Sequence, residues 1–307
     1  MSNYVIETNK LTKQYRNQIS VKELSIHVPR GKIYGLLGRN GAGKTTTMKM
    51  LLNLVQPTSG TISIFNEDYL KCPLKTYRKI GALIETPCFY ENLTGTENLK
   101  ILARLRGQHR KDAIDYALSI VGLDNGIHKT FGMYSLGMKQ RLGIAAAIMH
   151  EPEVLILDEP INGLDPIGIH EIRNYLLQLC NENGTTILIS SHVLSEIEQI
   201  ADIIGVMHEG CLLEETNMND LHKRNRKYVE YEVSDVYKAT LILERKLQYN
   251  DYTIVDKHFI RLFSNIDDSA KINSCFIENG IAVTQVNIKE EKLEDYFSSL
   301  IGGGKIG

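Results

Sequence analysis

A glycine-rich stretch, Gly38-Arg39-Asn40-Gly41-Ala42-Gly43-Lys44-Thr45, constrains the fold of this chain more than any other segment. It matches the pattern G-x-x-x-x-G-K-[ST], and it lies between an apolar strand-like run, Lys32–Leu37, and a helical run, Lys44–Leu54. Glycines let the backbone wrap around an anion, and the helix that follows adds the positive end of its dipole. The pattern therefore predicts a nucleotide phosphate site, and the alternative is a glycine-rich turn without a ligand.

Within this site each residue has an expected role. Lys44 is expected to reach the β- and γ-phosphates, and Thr45 to offer its hydroxyl to Mg²⁺. The residues that we expect to bind the nucleotide here are Gly38, Asn40, Gly41, Ala42, Gly43, Lys44, Thr45 and Thr46.

Two acidic residues, Asp158 and Glu159, end a second apolar run, Val154–Leu157. A buried strand that stops at a carboxylate places that group at the carboxyl edge of the sheet, where ligands bind in this fold class. We expect Asp158 to hold Mg²⁺ and Glu159 to act as the general base on the attacking water. His192 follows the run Thr185–Ser190 and is expected to donate a hydrogen bond to the γ-phosphate. Taken alone, an acidic turn and a structural histidine are the alternatives.

Apolar runs alternate with helical patterns up to about residue 215. Several of these runs show no polar alternation, as strands covered on both faces do. Gly107 and Gly184 stand just past two helical runs, where helices end. The alternation of strand-like runs with helical runs predicts an α/β fold around a mostly parallel sheet. The further runs are a strand at Lys79–Ile84 and helices at Thr96–Arg106, Leu136–Met149 and Ile167–Glu182.

The last third of the chain has its own pattern. Residues 217–227, which include Arg226, are polar and basic, and they predict a solvated helix end and linker; contact with lipid headgroups or a partner is the alternative. The remaining runs follow the order βαββαβ, which suggests a small α+β domain of ferredoxin-like type. We therefore expect a first domain at 1–216, a linker at 217–227 and an accessory domain at 228–307, with a frayed tail at Gly302–Gly304. The expected strands are 228–233, 253–255, 259–263 and 281–288, and the helices are 236–247, 269–278 and 293–300.

Composition limits the partners. Lys plus Arg is 35 and Asp plus Glu is 37, so the net charge of −2 gives no overall basic field, and we expect no nucleic-acid partner. No apolar run approaches the roughly 18 residues that span a bilayer, so a function at a membrane needs another chain to cross it. The five cysteines are scattered without a CxxC pair, which predicts reduced thiols, and the first ten residues carry no secretory pattern.

The segment Tyr134-Ser135-Leu136-Gly137-Met138-Lys139-Gln140-Arg141 resembles the signature motif of ABC-type ATPases, whose usual form is L-S-G-G-Q. Asn162-Gly163-Leu164-Asp165 resembles the D-loop of that family, His192 its switch histidine, and Tyr15 the aromatic residue that stacks on adenine. The motifs follow the family's order. The resemblance implies a P-loop NTPase of ABC type that hydrolyses ATP with Mg²⁺. Its RecA-like core carries an antiparallel β subdomain and a helical subdomain at about 86–150.

Ser135 precedes a predicted helix, so its hydroxyl and the first N–H groups of that helix form an anion site. In the family this site, with Gly137, faces the γ-phosphate that a second subunit binds. The resemblance thus implies two ATP molecules between two head-to-tail subunits, which requires a copy or a relative of this chain. A simple helix cap is the alternative for Ser135.

Glu85 stands where most members of the family have a glutamine that contacts Mg²⁺ and links to the membrane partner. A carboxylate is an acceptable oxygen ligand for Mg²⁺. A glutamate at position 85, together with this variant of the signature motif, resembles the sequences of ATPases from bacterial exporters that give bacitracin resistance or lantibiotic immunity. The length and the trailing domain favour the bacitracin type, and neutral drift at Glu85 is the alternative.

The resemblance therefore implies the ATP-hydrolysing subunit of an ABC exporter for a peptide antibiotic. It would lie at the cytoplasmic face of the bacterial membrane, bound to a permease subunit and a second ATPase subunit. With Glu85 as a hinge, residues 86–150 would form a groove for a permease helix, with walls at Phe89, Tyr90 and Leu93.

Three alternatives remain. The exporter could carry another substrate. A soluble ABC ATPase acting on DNA or ribosomes is disfavoured, because the chain has one motif set and only 50 residues separate Glu85 from Ser135. A non-catalytic nucleotide-binding module is disfavoured because Lys44, Asp158, Glu159 and His192 are all present.

Overall fold

The computed structural model describes residues 3–68, 76–107, 112–123, 129–224, 227–290 and 293–300. The chain divides into two compact units, one that ends at Met218 and one that begins at Asn219. Arg226 and the tail Gly302–Gly304 lie outside the described residues.

The first unit contains eleven strands among its described residues. They are β1 (Tyr4–Tyr15), β2 (Gln18–Leu24), β3 (His27–Pro29), β4 (Ile33–Leu37), β5 (Ser59–Ile64), β6 (Glu67–Asp68), β7 (Ile80–Leu83), β8 (Val154–Asp158), β9 (Thr186–Ser191), β10 (Ile203–His208) and β11 (Cys211–Asn217). Its helices are α1 (Lys44–Leu51), α2 (Gly95–Arg106), α3 (Ala113–Ile120), α4 (Leu136–Ile148), α5 (Pro166–Asn183) and α6 (Leu194–Glu198), and α7 (Met218–Arg224) spans the boundary.

The central sheet has the order β11-β10-β4-β9-β8-β7, and all neighbours pair in parallel except β10 with β11. Every residue of β4, β8 and β9 is buried, as expected of strands covered on both faces. Leu37 pairs with Ser191, Asp158 with Ser190, and Leu83 with Leu157. The loops that follow β4, β7, β8 and β9 therefore meet at one edge of the sheet.

A second, antiparallel sheet, of order β2-β1-β5-β6 with β3 on β1, packs against the first. Ile6 and Leu11 of β1 share one core with Met48 and Leu51 of α1 and with Ile156 of β8. This shared core holds α1 between the two sheets.

Two helices end at the glycines where the sequence predicts an end. Gly107 and Gly184 are left-handed C-caps of α2 and α5, with φ of 68° and 67°. Thr94 and Glu97 form a capping box at the start of α2. The helix predicted at Lys44–Leu54 stops at Leu51, because the backbone turns there and Asn53 takes a positive φ of 53°.

The second unit contains β12 (Lys227–Val233), α8 (Val236–Ile242), β13 (Tyr252–Ile254), β14 (Phe259–Leu262), α9 (Ser269–Glu278), β15 (Val283–Glu290) and α10 (Leu293–Leu300). Its sheet is antiparallel throughout, with the order β13-β14-β12-β15. The βαββαβ order and this pairing confirm the ferredoxin-like prediction. Tyr231 of β12 packs edge-on against Phe276 of α9, and both are fully buried.

Two details differ from the sequence reading. The helix predicted at 236–247 changes to a π-helical turn at Leu243–Leu247. The stretch for which a linker is predicted contains α7, where Met218 and Leu221 are buried. No helix among the described ranges is long and apolar enough to cross a bilayer.

Candidate active site

The glycine-rich loop joins β4 to α1 and packs tightly on its surroundings. Gly41 and Gly43 take φ of 84° and 101°, which side chains rarely adopt. A Cβ atom at Gly43 would lie 2.5 Å from the carbonyl oxygen of Ser20, and one at Gly38 would lie 2.6 Å from that of Met207. The backbone therefore needs glycine at these positions, and the close approach of β2 and β10 fixes the loop.

Lys44 is the first residue of α1 and is only 5 % exposed. Its Nζ donates to the carbonyl oxygens of Gly38 at 2.5 Å and Arg39 at 3.3 Å. The same ammonium lies 3.2 Å from Glu159 Oε1 as an ion pair. One buried cation thus connects the phosphate loop to the carboxylate after β8.

Thr45 and Asp158 bring two oxygen ligands together. Thr45 Oγ1 donates to Asp158 Oδ2 at 2.7 Å, and Ser190 Oγ donates to Asp158 Oδ1 at 2.6 Å. Mg²⁺ at phosphate sites takes one or two such protein oxygens and completes its shell with phosphates and water. Within the described ranges, no group of three or more His, Cys, Asp and Glu side chains is placed to hold a metal. The Thr45 hydroxyl and the Asp158 carboxylate are oxygen donors of the kind that fits Mg²⁺.

Glu159 is held from its backbone and its side chain. Its N–H donates to Ser190 Oγ at 3.0 Å, and its carbonyl oxygen accepts from Gln140 Nε2 at 3.2 Å. Glu159 Oε2 lies 2.8 Å from His192 Nδ1. The φ of Glu159 is 50°, a region that non-glycine residues adopt where their surroundings hold them. These contacts aim its carboxylate at the edge of the sheet.

Hydrogen bonds made by Ser191 hold the turn that carries His192. Ser191 Oγ donates to Glu196 Oε2 at 2.6 Å and accepts from the N–H of Val193 at 3.0 Å. Burial raises the pKa of Glu196, and the nearby charge of Glu159 raises this pKa further, although the Ser191 hydrogen bond opposes the shift. The charge of Glu159 therefore affects the pKa of the Glu196 carboxyl, which itself hydrogen-bonds Ser191.

The signature segment lies at the start of α4. Ser135 is the N-cap residue, and its Oγ accepts from the N–H of Met138 at 3.3 Å. A Cβ at Gly137 would lie 3.2 Å from the carbonyl oxygen of Gly163, so the signature packs on the D-loop. The side chain of Leu136 lies over Gly163, where a Cβ would come within 2.7 Å of Leu136 Cδ2. Leu136 stands where the usual signature motif has a glycine, and its side chain fills the space above Gly163.

The predicted site residues form two groups in direct contact: Thr45 contacts Asp158, and Glu159 contacts Lys44 and His192. Ser190 links the groups through its bonds to Asp158 and Glu159. Two others make different contacts. Tyr15 ends β1 with 44 % of its surface exposed, and Lys13 Nζ lies 4.9 Å from its ring centroid. Glu85 pairs with Lys49 of α1, with 2.6 Å between Oε1 and Nζ.

Two further residues belong to the site although the sequence assigns them no role. Ser190 accepts from the backbone of Glu159 and donates to Asp158, and Gln140 bonds Glu159. In the sequence, only the positions of these two residues could have indicated their roles. Ser190 is the penultimate residue of the buried strand β9, two residues before His192, and Gln140 lies within the signature segment.

A cleft of about 300 Å³ lies beside α2. Phe89 and Tyr90, two of the three predicted groove residues, line it. Leu93 does not line the cleft, and its carbonyl oxygen accepts a hydrogen bond from the N–H of Phe131. The remaining lining residues are Cys88, Asn98, Ile101 and Leu102.

Comparisons with known proteins agree with this geometry. The family described as ABC transporter matches residues 21–162. The bacitracin transport ATP-binding protein of Enterococcus faecalis is 61 % identical over 303 residues, which are 99 % of this chain and 98 % of that protein. The protein of the same description from Bacillus licheniformis is 53 % identical, over 99 % of each chain. The similarity therefore runs through both units.

A solved structure described as the ATP-binding subunit of an ABC transporter is 30 % identical, with a TM-score of 0.65. It covers 72 % of this chain and 92 % of its own chain.

Proposed function

Because this chain belongs to the ABC transporter family, in which it is an ATP-binding subunit, we propose that its hydrolysis of ATP drives the export of a bacitracin-type peptide antibiotic. The observation that carries this proposal is the 61 % identity to a bacitracin transport ATP-binding protein over 99 % of the chain. The identity includes the second unit, whose sequence contains no chemical motif.

The chemistry proposed for the site follows from its contacts. The backbone N–H groups of the glycine-rich loop and the first turn of α1 bind the phosphates, and Lys44 neutralises their charge. Thr45 and Asp158 are the residues that would hold Mg²⁺, which would supply positive charge against the charge that develops on the phosphates. The Ser190 hydroxyl holds the Asp158 carboxylate in place for this role.

Glu159 is proposed as the general base. Its carboxylate accepts the proton of the water that attacks the γ-phosphate, and His192 Nδ1 at 2.8 Å fixes the carboxylate orientation. The γ-phosphate competes with Glu159 for the Lys44 ammonium, which lies 3.2 Å from Oε1. Nucleotide binding thus releases the carboxylate from its ion pair and leaves it available to the water.

The partners proposed are a second ATPase subunit and a permease. The N-terminus of α4, capped by Ser135, supplies N–H groups and a positive dipole that suit the γ-phosphate held by a facing subunit. The cleft lined by Phe89 and Tyr90 is the surface proposed for a permease helix. This arrangement would hold the chain at the cytoplasmic face of the membrane, with the permease as the spanning chain.

The test is the inhibitory concentration of bacitracin for a sensitive strain that produces this chain with a bacitracin-type permease. The matched control carries Lys44→Ala, and a lantibiotic serves as a second challenge. We expect tolerance to bacitracin to rise severalfold and to require Lys44. A rise confined to the lantibiotic would contradict the bacitracin assignment. If neither tolerance changes while the purified chain hydrolyses ATP, the ATPase stands and peptide-antibiotic export is wrong.

A further inference from the structure

The Glu85 carboxylate is paired with a cation supplied by the phosphate-binding helix itself. Lys49 Nζ lies 2.6 Å from Glu85 Oε1, and 36 positions separate the two residues in sequence. The side chain of Lys49 is 28 % exposed, whereas that of Glu85 is 61 % exposed. A mostly covered lysine therefore holds a mostly exposed carboxylate.

The pair lies close to the proposed metal ligands. Lys49 comes four residues after Thr45 on α1, so the two side chains project from the same face of the helix. Glu85 follows β7 and Asp158 ends the neighbouring strand β8, at the same edge of the sheet. The Lys49–Glu85 pair is thus displaced from the Thr45–Asp158 pair by about one helical turn, a rise of roughly 6 Å.

The backbone at Glu85 is also unusual. Its φ is 58°, a left-handed conformation that glutamate adopts where nearby contacts hold it. The Lys49 ion pair is one such contact. It keeps the Glu85 side chain directed to the second turn of α1.

Charge decides what this contact does. A carboxylate near the phosphate loop repels the phosphates of ATP, whereas the neutral amide of a glutamine would not. When it is paired with Lys49, Glu85 adds no net charge. If the pair breaks, the carboxylate can turn toward the phosphates or toward the metal that accompanies them.

We propose that Lys49 is a positioning residue that holds the Glu85 carboxylate on α1 and away from the phosphate-binding loop. This inference rests on the proposed binding of ATP at Gly38–Thr45. Its distinguishing consequence is that the requirement for Lys49 depends on a carboxylate at position 85. A lysine that acted only through its long-range charge would matter equally beside glutamine.

The experiment is a double-mutant cycle on the full chain. The dissociation constant of a fluorescent ATP analogue is measured in EDTA and in Mg²⁺ for the unsubstituted protein, Lys49→Ala, Glu85→Gln and the double variant. Lys49→Arg keeps the cation. Lys79→Ala is the matched control, because Lys79 forms a similar ion pair with Glu153 (2.7 Å) at the opposite edge of the same sheet. Thermal midpoints show that each variant is folded.

In EDTA, we expect Lys49→Ala to weaken binding about two- to fivefold more beside Glu85 than in the Glu85→Gln background, the range of a partly exposed ion pair. Mg²⁺ should remove most of that difference, because the freed carboxylate can turn to the metal. Lys49→Arg and Lys79→Ala should bind like the unsubstituted protein. An equal loss in both backgrounds, or no loss in either, would overturn the inference. Failure of the unsubstituted chain to bind the analogue at all would overturn the proposed function, and this inference with it.

Discussion

His192 Nδ1 lies 2.8 Å from Glu159 Oε2, while the other carboxylate oxygen of Glu159 lies 3.2 Å from Lys44 Nζ. The proposed base is therefore held between the imidazole that follows β9 and the ammonium that begins α1. These groups come from three separate strand ends of one sheet. Their meeting point is a consequence of the parallel order β4-β9-β8, which brings the three loops to one edge.

Ser190→Ala removes the hydroxyl that donates to Asp158 Oδ1 and accepts from the N–H of Glu159. The first hydrogen bond is buried and the second is partly buried, so we expect a loss of stability of about 1–3 kcal/mol. Because Asp158 loses the group that orients it, we also expect the Mg²⁺ concentration for half-maximal ATPase activity to rise about 10-fold or more. Magnesium titrations of phosphate release test this.

The control for that variant is Ser274→Ala, which removes a hydroxyl that donates within α9 of the second unit. It should leave the magnesium requirement unchanged. If Ser190→Ala leaves it unchanged as well, the role given to Ser190 is wrong.

Tyr15→Ala tests the aromatic face that the sequence assigns to adenine. Tyr15 is 44 % exposed, and stacking of a base on an aromatic ring contributes about 1–3 kcal/mol. We expect ATP binding to weaken by that amount, and Tyr15→Phe to keep the affinity. Equilibrium binding of a fluorescent ATP analogue measures both. Tyr90, which is 62 % exposed beside α2, provides the control Tyr90→Ala. Equal affinities for Tyr15→Ala and this control would rule out stacking on Tyr15.

His150 gives the first unit a pH dependence. Burial and then the Arg106 charge lower the pKa of His150 to about 4, although its bond to the carbonyl of Ile80 opposes the shift. The unfolded chain takes up a proton below about pH 6.5 that the folded unit takes up only near pH 4. The free energy of unfolding is therefore not reduced by His150 above pH 6.5, and it decreases as the pH falls from 6.5 toward 4.

For this prediction, urea unfolding of the first unit is compared at pH 7 and pH 5 with that of His150→Gln. The unsubstituted chain should lose on the order of 2 kcal/mol more than the variant does over this interval. An equal loss in the two proteins would mean that His150 titrates normally in the folded state.

The sequence predicts the central sheet well because its strands are short, apolar and followed by motif residues. β4, β8 and β9 are found within one residue of their predicted starts and ends. The long strand β1 has no such run of apolar residues. It alternates with polar residues, and its pairing with β2 shifts register between Leu11 and Gln14. Local pattern cannot reveal a strand whose pairing is set by bulges and by a distant partner.

The site is predictable to the extent that its residues stand in motifs. Lys44, Asp158 and Glu159 follow from spacing and from the ends of strands. Ser190 does not, because a serine at the end of a strand has no distinctive pattern. The Lys49–Glu85 pair joins positions 36 residues apart, and only the fold brings them together.

The most direct test of the account is phosphate release by purified Glu159→Gln beside the unsubstituted chain, with ATP affinity measured in parallel. Glutamine keeps the shape of the side chain and cannot accept the proton. We predict that turnover falls at least 100-fold, the scale of general-base catalysis, while ATP affinity stays within a few fold. Hydrolysis near the rate of the unsubstituted chain would contradict the central claim that the Glu159 carboxylate activates the water.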